Sequence, residues 1–214
     1  MANTNVAFGL KPINTAGSAP ATQGTNAYFI DSAASAIYQG SMVKADNGGE
    51  IVICSASGDT EAPVGVFAGC EYVSSTTGKK VFSNYWPGSG SVSVDTNYPV
   101  KAFVADNPDQ LFKVASDASL TDRATALATV FANASLGTSA RTGSTDTGNS
   151  NSALSVSSIA TTATLPLRIV GIMDDEANSD FTAAGIPLIV RINAHFNATT
   201  SRFDSQTTAT TTGV

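Results

Sequence analysis

From residue 26 to about 115, apolar and polar positions alternate in short runs, with turn residues interrupting at roughly every 8 to 12 positions. The runs are Tyr28-Phe29-Ile30, Ile37-Tyr38-Gln39, Met42-Val43, Ile51 to Cys54, Val64 to Ala68, Val81-Phe82, Tyr85-Trp86, Val100 to Val104 and Leu111 to Ala115. Asp46-Asn47-Gly48-Gly49, Ser57-Gly58-Asp59, Thr77-Gly78, Pro87-Gly88-Ser89-Gly90 and Asn107-Pro108-Asp109 punctuate them. Two further strands are predicted over Thr164 to Met173 and Ile186 to Phe196. One segment follows a different period. Ala124, Leu127, Ala128 and Phe131 fall at i, i+3, i+4 and i+7, which predicts a short helix near 120–133, capped by Ser119 or Thr121 and packed by this stripe on the sheet. The pattern predicts an all-β protein: a sandwich or jelly-roll-like antiparallel domain with one short helix and an extended N-terminal arm.

Three segments stand outside the strand pattern. Residues 1–25 read as an arm whose one charged side chain is Lys11. Phe8, Leu10, Pro12 and Ile13 cluster there without helical spacing, too few to form a core and costly to leave wet, so they are the candidate residues for contact with another subunit. The arm is expected to fray or to lie along a neighbouring subunit, and its removal to leave the β domain, 26–196, folded. Residues 137–152 contain no large apolar group and read as an exposed loop or hairpin tip. Residues 197–214 are Thr-rich and read as a flexible tail.

Composition narrows the function. About a quarter of the 214 residues are Ser or Thr, whereas only 13% are charged. Hydroxyls make many weak hydrogen bonds at small desolvation cost, which suits close packing against other protein and suits acid–base chemistry poorly. A net charge of −6 offers no footprint for a phosphate backbone, and no apolar run approaches the ~20 residues of a membrane helix, so neither nucleic acid nor membrane is an expected partner. The start of the chain lacks a charged and then apolar leader pattern. Cys54 and Cys70 read as free, buried thiols. His195 is the one imidazole, on a strand face with Arg191 and Asn193, and no nucleophile elbow accompanies it. No catalytic residue is assigned. Asp174-Asp175-Glu176 with Asp180 fits a solvated turn better than a calcium loop, so no metal and no cofactor is expected. Phe82, Tyr85 and Trp86 could stack on a sugar, although core or subunit packing suits them better.

Several stretches resemble the virion structural proteins of tailed bacteriophages. They are Asn5-Val6-Ala7-Phe8-Gly9-Leu10-Lys11-Pro12, Pro63 to Cys70, Phe82-Ser83-Asn84-Tyr85-Trp86-Pro87-Gly88, Ala102 to Pro108 and Ile192-Asn193-Ala194-His195-Phe196. The resemblance spans most of residues 3–196 and rests on packing and turn motifs. It implies a capsid cement (decoration) protein, assembled in the host cytoplasm, which binds the phage major capsid protein on the outer surface of the head as a homotrimer. A tail, adaptor or fibre component is the alternative within the structural class, and a carbohydrate-binding β module is the alternative outside it.

Overall fold

The computed structural model describes residues 3–17, 24–31, 33–55, 61–137 and 141–198. Residues 199–214 of the expected tail, residues 1–2 and 18–23 of the expected arm and residues 138–140 of the expected loop lie outside these residues. The described residues form eleven strands in two sheets and one short α-helix, an all-β fold.

The first sheet closes on itself. β2 (Asn26–Ile30), β3 (Met42–Asp46), β4 (Glu50–Ile53), β5 (Pro63–Val73) and β7 (Lys101–Ala105) run in the order β3-β4-β2-β7-β5, and β5 pairs back to β3. β6 (Lys80–Ser83) extends the far end of β5. All pairings are antiparallel except β2 with β4. Closure removes free edges around the ring, which an open sheet of these strands would have to protect. The period-two pattern dictates the interior. Ile30, Val43, Ile51, Ile53, Phe67, Ala102 and Val104 point inward, and Ile37 and Trp86 plug the barrel as a bridged pair.

The second sheet is antiparallel throughout, in the order β1 (Lys11–Thr15), β8 (Gln110–Ala115), β11 (Pro187–Ile192), β10 (Leu167–Ile172), β9 (Asn133–Ala134). Phe112, Val114, Leu167, Ile169, Leu188 and Val190 pack in one core with Met42, Val66 and Ala105 of the barrel. Lys113, between Phe112 and Val114, turns the other way and pairs with Asp175 at 3.5 Å.

Three expectations need correcting. The N-terminal arm is extended, but residues 3–17 lie along their own subunit, and β1 is an edge strand of the second sheet. Leu10 is completely buried in the shared core, so removal of the arm would open that core. The helix is only α1 (Arg123–Ala128), capped by Asp122, whose carboxylate accepts from Thr125 N–H. The stripe expected to pack is turned outward: Leu127 and Phe131 are 53% and 79% exposed, whereas Leu120 and Ala126 are buried. The chain must leave the helix early because Phe131, at φ 74°, donates its N–H to Ile169 and leads directly into β9. The third concerns the loop. Gly143 to Ser150 form a hairpin tip, yet Ser150 and Ser152 have no exposed surface and share a 2.7 Å hydroxyl hydrogen bond.

Candidate docking groove

Side-chain amides clamp residues 3–5. Asn3 donates to the carbonyls of Asp180 (2.9 Å) and Ala184 (2.8 Å) and accepts from Asp180 N–H. Asn178 Oδ1 accepts from the backbone N–H groups of Thr4 (2.9 Å) and Asn5 (2.7 Å), and Asn178 itself is held by Asp175 Oδ2. Each such bond contributes only about 1 kcal/mol net, but several in series fix the entry of the segment.

The segment next crosses the barrel at two glycines. Gly9 and Gly40 both have positive φ (76° and 89°), and a Cβ on Gly9 would sit 2.8 Å from the Gly40 carbonyl oxygen. Only glycine permits this approach without strain. Gly9 N–H donates to Ser152, Leu10 N–H donates to Gly40, and the Leu10 side chain enters the core.

Beside this crossing lies a groove of about 270 Å³. One wall is the N-terminal segment, with Phe8, Leu10, Lys11 and Pro12. The floor is β5 at Val66, Phe67 and Ala68, where the pairing with β7 bulges between Phe67 and Gly69. The opposite wall is Gln39 and Asn149. The hairpin tip positions Asn149 there: Gln39 N–H donates to Gly148, and Ser150 N–H donates back to Gln39. Two ammonium groups approach the Phe8 ring, Lys11 at 4.8 Å and Lys113 at 5.8 Å from its centroid. Lys11, Gln39 and Asn149 thus bring one ammonium group and two amides to the groove, and its apolar surface comes from Phe8, Pro12 and Ala68, since Val66 and Phe67 are almost fully buried.

Of the four sequence candidates, Phe8 and Pro12 line the groove with surface to offer, and Leu10 contributes to its wall while buried in the protein's own core. Ile13 is half-buried in β1 and does not line it. Gln39, Ala68 and Asn149 were not foreseen. They are polar or small, and only the closure of the barrel and the docking of the hairpin bring them to Phe8.

The remaining candidates are placed elsewhere. His195 has no exposed surface, and its Nδ1 accepts from Asn197 N–H at 3.1 Å. Burial pulls its pKa down to about 4, against a smaller opposing pull from Asp106 and Asp109. Asp174 pairs with Arg123 at 2.9 Å, and Asp175 caps the 3₁₀ turn Glu176–Asn178. Trp86 is buried in the barrel, and Tyr85 stacks on Tyr38 with centroids 5.6 Å apart. Cys54 and Cys70 are free and buried, and burial pushes the Cys70 thiol up to about 12. No protein-family model, curated protein or solved structure matches the chain.

Proposed function

We propose that this chain is a non-enzymatic virion structural protein, a cement protein that binds the major capsid protein on the outside of a tailed-phage head and stabilises the shell as a homotrimer. The observation that carries the reading is the groove beside Phe8 and Pro12, formed by a segment of the chain that also carries part of the phage-like sequence pattern. A pre-formed groove that mixes apolar side chains with amide and ammonium groups binds a protein segment without first having to be ordered. The clamp at Asn3 and Asn178 provides that order in advance. Weak contacts of this kind gain strength by repetition over a symmetric lattice. The buried, hydrogen-bonded state of His195 supports a role without acid–base chemistry, because a general base must reach its substrate.

The experiment is co-sedimentation of the purified protein with heads that lack it. Binding that saturates at a fixed ratio per capsid protein, with a trimer visible by light scattering, supports the reading. Binding to tails and not to heads would place the protein in the tail or adaptor instead.

A further inference from the structure

We propose that the outer wall of the barrel carries a glycan-binding hollow that seats one pyranose ring over the Lys80–Glu71–Lys101 triad, with Tyr98 and Phe29 as its stacking surfaces. This site is separate from the groove and does not rest on the capsid reading.

Strand register builds it. Phe29 of β2 pairs with Lys101 of β7, Lys101 pairs with Glu71 of β5, and Glu71 pairs with Phe82 of β6. Paired residues share a face, so an aromatic side chain stands at each end of a Lys–Glu pair. Lys80 joins from β6, with its ammonium 3.0 Å from Glu71 Oε1, and Lys101 lies 3.7 Å from the same oxygen. A hollow of about 230 Å³ opens here, lined also by Tyr98 and Pro99. Phe29 and Tyr98 are 44% and 56% exposed on a wall whose other side is fully packed.

The chemistry of the wall selects the ligand. Pockets for larger organic ligands run to ~300–1,000 Å³, so this hollow suits a single ring. Vicinal hydroxyls donate and accept together, so one sugar edge can donate to Glu71 while it accepts from Lys80 and Lys101. The apolar face of the ring then covers an aromatic side chain. An apolar protein surface would desolvate the triad without offering it partners. An acidic peptide would use the lysines alone and meet repulsion from Glu71. Glu50, the cross-strand neighbour of Phe29, adds another carboxylate at that side.

The test is a backbone-amide NMR titration of the full chain with chitotetraose, maltotetraose and cellotetraose, with a hexaglutamate peptide as comparison. At least one sugar should give saturable shifts confined to residues 71–73, 80 and 98–101, with a dissociation constant of about 1 mM. Tyr98→Ala should weaken that binding about tenfold and Lys101→Met a few-fold. Tyr98 lies outside the strands, so its variant should keep the wild-type spectrum elsewhere and separates lost binding from lost fold. No saturable shift from any of the three sugars, shifts outside the hollow, or tighter binding of hexaglutamate than of every sugar would overturn the proposal.

Discussion

Leu10 and Leu127 are the same residue type, each in a short segment of modest apolar content, and the structure leaves one with 0% and the other with 53% exposure. The difference lies in the backbone. Around Leu10, N–H groups of residues 4, 5, 9 and 10 all find distant acceptors, and two glycines let the chain press against the barrel. Around Leu127, six helical residues satisfy their bonds locally, and the chain is drawn off into β9. Apolar spacing thus indicates what a segment could bury. The long-range partners of its backbone decide what it does bury.

The largest test of this contrast is Leu10→Ala. It should lower unfolding free energy by about 2–5 kcal/mol in urea titrations. A loss under 1 kcal/mol would mean that the N-terminal segment is not part of the core. Deletion of residues 2–14 should be worse still, because it removes the clamp and all of β1 but Thr15 along with Leu10.

His195 asks whether burial can also dominate a polar residue. The folded imidazole stays neutral down to about pH 4, whereas in the unfolded chain it takes up a proton below about 6.5. Between those values the unfolded state holds the extra proton. Stability should therefore fall as pH drops from 6.5 to 4, by on the order of 2–3 kcal/mol from this group. In His195→Gln that part of the slope should vanish. An unchanged slope would assign the acid sensitivity to the carboxylates.

Asn178→Ala probes the clamp alone. It leaves the N–H groups of Thr4 and Asn5 without their acceptor, so a loss of about 1–3 kcal/mol is expected. Amide exchange should quicken at residues 3–10 and stay slow in β8 and β11. Equal acceleration in both places would show that the segment and the sheet open together. The smallest effect belongs to Leu127→Ser, whose exposed side chain should change stability by less than about 0.5 kcal/mol.

Strands were legible where inward and outward residues alternate, as in β7 and β11, and where an apolar run stands between turn residues, as in β5 and β8. β1 was not, because Pro12 and Lys11 read as interruptions and only pairing with β8 makes the segment a strand. The barrel closure was not legible either, since the β3–β5 register joins residues about twenty apart with no marker of their pairing. Ser150 and Ser152 are buried by hydrogen bonding to each other and leave no hydropathy signal. The candidate groove was half visible. Phe8, Leu10 and Pro12 stood out as apolar residues in a polar arm, whereas Gln39, Ala68 and Asn149 are unremarkable until the fold gathers them.

Head attachment through this groove is the part of the proposed function most open to a direct test. Ala68 lines its floor and is half-buried, so Ala68→Gln should obstruct the groove while leaving the Leu10 core untouched. The decisive measurement is head binding by Ala68→Gln against wild type, with melting temperatures compared in parallel. The expected result is at least a tenfold loss of affinity, about 1.4 kcal/mol, with the melting temperature nearly unchanged. Wild-type binding by a folded variant that blocks the groove would contradict it.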